Sequence, residues 1–222
     1  MIDSKVETAV KAAFVAFTKY SSFDATPFTS VFSEVFASEE DFLTKVDMLD
    51  EVFDDYPQLE ILREVFFDLL MINFFSADIK KLEEDYLDSE EWEEIEEDTL
   101  DRGTEMLNLL LYLNECQDEG IEPGLEDYLK EFLLVDEDEF QDEYRIYEPV
   151  IAHQVLMESP VAEISKVAEK LPEDSEMKEL FYPMMCFFQD TDPSDEAINN
   201  IAANAVNAAF DMAVLEILLN FK

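Results

Sequence analysis

The chain has 222 residues, with 56 Asp and Glu against 14 Lys and Arg, giving a formal charge of −42 at pH 7. That charge argues against direct binding of DNA or RNA, which needs Lys and Arg to displace counterions, and against anionic lipid surfaces for the same reason. It does not imply disorder, because 48% of the residues are apolar, including 19 Phe, 9 Met and 8 Tyr, enough for a sizeable core.

With only three glycines and apolar residues recurring at intervals of three and four, the chain reads as all-α. A first helix is predicted over Ser4–Tyr20, with Val6, Ala9, Val10, Ala13, Phe14 and Phe17 on one side. Thr26-Pro27 opens a short second helix and Ser38 a third. Asp55 to Pro57 separates the third from a strongly apolar helix over 58–75, placed at the centre of the core. Asp78 caps a short segment through Ile79, Leu82 and Tyr86, and Ser89 opens a long helix over 89–119 that stops at Gly120. Along it, Trp92, Ile95, Thr99, Gly103, Met106, Leu110 and Leu113 form one packing stripe.

Beyond Pro123, amphipathic segments are expected over 125–135 and from Asp136 past Pro149, whose ring kinks or breaks the latter. Ser159-Pro160 starts another that Pro172 ends, and residues 173–188 form a further one interrupted at Pro183. An Ala-rich closing helix is expected over 194–221. The sum is a multihelical bundle or irregular helical array of roughly nine to eleven helices, with an α-solenoid as the alternative, although no fixed repeat period is present. The chain is expected to form one all-helical unit over 1–222, with a subdivision near 120–124 into 1–119 and 124–222 left open.

Charge is concentrated in the middle: residues 39–158 carry −33, against −1 before them and −8 after. Residues 83–101 hold 12 acids and no base, and Glu90, Glu94, Glu97, Asp101 and Glu105 fall on one face of the expected long helix. Like charges at i and i+4 destabilise a helix by about 0.2 to 0.5 kcal/mol per pair. The face therefore reads as a contact surface for a basic protein partner drawn in electrostatically, or else as solvated surface. A quieter feature is the stripe Asn200, Asn204, Asn207 and Asp211, with no charge between Glu196 and Asp211. It suggests a ligand site, an interface, or partial burial within the chain.

No catalytic constellation is expected. His153 is the only imidazole, in VIAHQVL, which excludes a paired Glu-x-x-His di-iron site and suits a packed residue better than a general base. Asp190, Asp192 and Ser194 imitate the start of a calcium loop, but Asp195 and Ile201 stand where Gly and Glu are required. Three scattered glycines cannot make a phosphate loop. No metal or cofactor is expected. Cys116 and Cys186 lie in apolar runs and read as reduced, buried thiols. The N-terminus lacks the pattern of a secretory signal and no window approaches ~18 uncharged apolar residues, so a cytoplasmic protein is expected.

The composite expectation is a non-enzymatic acidic helical interaction protein, monomer or homodimer, binding a basic partner as an inhibitor, immunity-type protein or chaperone-like adaptor. The alternative is a helical enzyme or small-ligand binder with a pocket between helices near the Asn stripe or His153.

Overall fold

Capping chemistry sets the first helices. In the computed structural model, which describes residues 1–77, 86, 89–136, 139–140 and 145–222, the Asp3 carboxylate accepts N–H bonds from Lys5 and Val6 to open α1 (Ser4–Tyr20). Helix α2 (Phe28–Ala37) follows Pro27, and Asp41 caps α3 (Phe42–Asp55) through the Thr44 N–H. A 3₁₀ turn over Pro57–Leu62 leads into α4 (Arg63–Ala77).

The order then continues through α5 (Glu90–Thr99), α6 (Met106–Glu119), α7 (Leu125–Leu133), the short antiparallel pair β1 (Leu134–Asp136) and β2 (Glu139–Phe140), and α8 (Glu148–Ala152). After a 3₁₀ turn over Gln154–Glu158 come α9 (Val161–Ala168), α10 (Phe181–Gln189), α11 (Asp195–Asn204) and α12 (Ala208–Phe221). The protein is an all-α multihelical array, with twelve α-helices among the described residues.

One buried apolar cluster runs from Val6 to Phe221. At its centre Phe14 of α1, Phe32 of α2, Phe53 of α3 and Phe66 of α4 are fully buried. Their rings meet at centroid separations of 4.9 to 6.0 Å. Aromatic pairs at such distances add about 0.5–1.5 kcal/mol each beyond the area they bury. Helix α12 lies along α1 and also packs on α10, so the last helix closes the array against the first. A solenoid, in which each repeat touches only its neighbours, has no such closure.

Several expected boundaries differ for identifiable reasons. The helix expected over 89–119 is two helices, because Gly103 adopts φ +81°, outside the helical region, and the chain turns over residues 100–105. The packing stripe is accordingly split between α5 and α6. The closing helix is likewise two, broken between Asn204 and Ala208. Pro149 does not kink a long segment but sits in the first turn of the five-residue α8. Pro183 does not interrupt a helix, since it occupies the first turn of α10, where its missing N–H has no intrahelical partner to lose. The segment expected to begin at Asp78 lies outside the described residues apart from Tyr86.

Both cysteines are buried and outside any disulfide, and burial pushes the Cys186 thiol up to about 12. No helix among the described residues is long and apolar enough to cross a membrane.

Candidate functional site

Helix α5 is built almost entirely from acid. Ser89 caps it, its hydroxyl oxygen accepting the Trp92 N–H at 3.1 Å. Glu90, Glu91 and Glu93 in the first turn are favoured by the positive helix N-terminus, whereas Glu96, Glu97 and Asp98 near the other end are not. The helix stops one residue after Asp98, at Thr99. Its apolar side is narrow, with Ile95 and Thr99 buried and Trp92 half-buried. The Trp92 ring sits 5.7 Å from that of Phe75 on α4 and 6.1 Å from Tyr86.

What sets α5 apart from α6 is the polar turn between them. Asp68 of α4, 1% exposed, accepts the Thr104 N–H at 3.0 Å and the Thr104 hydroxyl at 2.5 Å. Glu64 accepts the Gly103 N–H at 2.7 Å. Arg102 donates in a fork to Asp50 of α3 at 2.9 and 3.0 Å, and to Glu64 at 3.2 Å. Its guanidinium lies over Phe67, 4.9 Å from the ring centroid. Arg63 meets the same Asp50 at 2.9 Å.

Two of the chain's three arginines are therefore used to fasten this turn and the α3–α4 corner. Among the described residues no base pairs with Glu90, Glu93, Glu94, Glu96, Glu97 or Asp98. Burial holds the Asp68 carboxyl well above the usual carboxylate range; the Thr104 hydrogen bonds oppose the shift, while the charges of Glu64 and Glu105 add to it.

Because the turn splays α5 from α6, a groove of about 800 Å³ opens over α4. Its floor is Phe67, Asp68, Met71 and Phe75 of α4; one wall is Trp92, Glu93, Glu96 and Glu97 of α5, and the other is Leu107 and Leu111 of α6. Leu100, 82% exposed, stands at the lip. An apolar trough with a few polar groups is the usual form of a binding site.

The sequence-derived acidic residues divide. Glu90, Glu94 and Glu97 are exposed together on α5, and Glu97 lines the groove. Asp101 is exposed in the turn. Glu105 is turned inward: it accepts the Tyr147 hydroxyl at 2.5 Å and the Asn108 amide at 2.9 Å, and Tyr147 in turn meets the Tyr128 hydroxyl at 2.7 Å. The five do not form one continuous helical face, since the break at Gly103 separates the last of them from the first three.

Glu93 and Glu96, which line the groove, were not singled out by spacing alone. The signal that finds them is their position beside Trp92 on the side of α5 that faces Leu107 and Leu111.

The asparagine stripe is interrupted as well. Asn200 and Asn204 hydrogen-bond to each other at 3.2 Å, and Asn207 is exposed in the break. Asp211 is 3% exposed and accepts the N–H groups of Val206 and Asn207 at 2.8 and 2.9 Å. Its carboxyl is pushed up to about 6 by burial, against the pull of those two bonds. His153 is half-buried, its Nδ1 2.7 Å from the Pro149 carbonyl and its ring edge-on to Phe181. It borders a separate concavity of about 570 Å³ with Arg145, Glu148 and Glu176.

Ser194 caps α11 through the Ala197 N–H, and Asp190 accepts the Asp192 N–H. Among the described residues, no three of His, Cys, Asp and Glu converge on a point that could hold a metal ion. No protein-family model, curated protein or solved structure matches the chain.

Proposed function

We propose that this chain is a non-enzymatic interaction protein that binds a basic protein partner, acting as an inhibitor, immunity-type protein or chaperone-like adaptor. The observation that carries the reading is the coincidence of two features: on α5, Glu90, Glu93, Glu94, Glu96, Glu97 and Asp98 have no base paired with them among the described residues, and an apolar groove opens along that same helix. Carboxylates raise the encounter rate with a cationic surface and fix its orientation. The apolar trough supplies the desolvated anchor that exposed charge pairs, worth about 0–1 kcal/mol each, do not. The mechanism is occlusion, in which the partner's Lys or Arg side chains are covered by α5.

The test is recovery from native lysate at low and at high salt, comparing the natural chain with Glu93→Gln/Glu94→Gln/Glu97→Gln. The reading expects one basic protein, lost at high salt and lost in the triple variant. Equal recovery by both proteins at low salt counts against it.

A second reading, a small-ligand binder, draws on Asp68, Thr99 and Thr104 converging on the same groove. A cationic amphiphile that shifts Trp92 emission saturably at high salt would favour it.

A further inference from the structure

The groove has a shape as well as a charge, and the two together specify an occupant. On α4, Phe67, Met71 and Phe75 repeat at intervals of four, and on α6 Leu107 and Leu111 do the same. The floor and the α6 wall are thus ridges of helical side chains, against which a further helix packs by setting its own ridge into the trough. An extended peptide would need unpaired backbone N–H and C=O groups to add to. The floor and the two walls are α-helices, whose backbone groups are bonded within each helix.

The charge is lopsided. The α5 wall carries Glu93, Glu96 and Glu97, while the α6 wall contributes only leucines. Arg102, which also lines the groove, is already held by Asp50 and Glu64.

Resting on the proposed reading that the partner is basic, we infer that the groove receives a cationic amphipathic helix of that partner. Apolar anchors at i, i+4 and i+7 lie between α4 and α6, and Lys or Arg project from the one flank that faces α5. The row from Phe67 to Phe75 spans about 12 Å, so two to three turns of helix fill it.

Trp92 is the chain's only tryptophan and lines the groove, so it reports occupancy directly. The experiment titrates the full chain at low salt with two Trp-free 16-residue peptides of identical Leu, Lys, Ala and Gln content. One is patterned with Leu on a single helical stripe and Lys on one flank; the other is scrambled. Trp92 emission and far-ultraviolet circular dichroism are followed.

The patterned peptide is expected to bind at least tenfold more tightly, shift Trp92 emission and gain helix on binding. Leu107→Glu is the discriminating variant. It adds negative charge in the first turn of α6, where a helix tolerates it, yet removes an apolar wall, and it is expected to weaken the patterned peptide at least tenfold.

Equal binding of both peptides, with Leu107→Glu indifferent or tighter, would overturn the helical occupant and leave the basic-partner reading standing. Failure of both peptides to bind the natural chain would remove both proposals. A dimer that Leu107→Glu dissociates and neither peptide displaces would assign the groove to a second copy of this chain and overturn the inference.

Discussion

At the turn between α5 and α6, the Thr104 N–H is held by Asp68, a carboxylate 36 residues earlier in the chain. At the break between α11 and α12, the N–H groups of Val206 and Asn207 are held by Asp211, five and four residues later. Both aspartates are buried, and both satisfy backbone donors that a break in a helix would otherwise leave unpaired. They differ in what they organise. Asp211 closes a local cap at the start of α12, from within that same helix. Asp68 reaches across from α4 to Thr104, next to the left-handed Gly103 whose N–H Glu64 accepts, and so fastens the turn that separates α5 from α6 beside the groove.

The largest expected effect breaks the long-range side of this comparison. A Cβ at Gly103 would lie 2.5 Å from an Asp68 carboxylate oxygen and 3.1 Å from Phe67, at a φ that L residues rarely adopt. Gly103→Ala is expected to cost about 3 kcal/mol, combining backbone strain with loss of the Asp68–Thr104 bonds, measured as a fall in the urea unfolding midpoint with altered Trp92 emission. An unchanged midpoint would mean that the turn is not fastened as described.

The local side is tested by pH. Burial raises the Asp211 carboxyl from its usual 3.8 to about 6, so the folded state holds the proton more tightly than the unfolded chain. That contribution to stability is complete below about pH 3.8 and is lost as pH rises through about 6. Asp211→Asn keeps an acceptor for the Val206 and Asn207 donors and removes the burial cost of the charge. It is expected to raise stability above pH 6 by about 2 kcal/mol and to flatten the pH profile of urea unfolding between those values. A loss of stability at neutral pH would show that the two bonds require the carboxylate.

Smaller effects sharpen the distinction between acid that is structural and acid that is free. Tyr147→Phe removes the hydroxyl that joins Glu105 to Tyr128 and is expected to cost about 1–2 kcal/mol in thermal unfolding. Glu94→Gln with Glu97→Gln relieves a like-charge pair at i and i+3 on α5 and is expected to stabilise by about 0.5 kcal/mol or less. A loss of stability in the double variant would mean that these carboxylates hold the fold, not a partner.

The fold class was legible because apolar periodicity and caps are local signals. Ser4–Tyr20 came out as α1 to the residue, and Ser89, Ser194 and Pro160 each precede a helix as their chemistry implies. In both broken helices the apolar spacing continues through the break; the acceptors that fix the first come from α4, whereas Asp211, which fixes the second, lies within the expected helix itself. By spacing Gly103 belongs to the packing stripe, whereas in the structure it has a positive φ in a turn where Glu64 accepts its N–H and Asp68 that of Thr104, both from α4. Asp211 could have been recognised as a cap, since it lies four residues after Asn207, but the Asn spacing hid it.

For the site, α5 was legible through its charge, and Trp92 through its place in the packing stripe. The groove was not, because its floor and far wall come from α4 and α6, and no spacing within one helix encodes a gap between three. Glu105 shows the converse. It shares the acidic periodicity yet is committed to Tyr147, a partner 42 residues away.

The most direct test of the central claim, that the α5 groove is the working surface, is a photo-crosslinking comparison in native lysate at low salt. One form of the chain carries a benzophenone side chain at Leu100, on the exposed lip of the groove, and another at Val155, 71% exposed and outside it. The account predicts that the Leu100 probe captures one basic protein through a helical cationic segment, that high salt abolishes the capture, and that the Val155 probe captures none of it. The same assortment of cationic proteins from both positions would contradict the account and reduce the acidic surface to solvation.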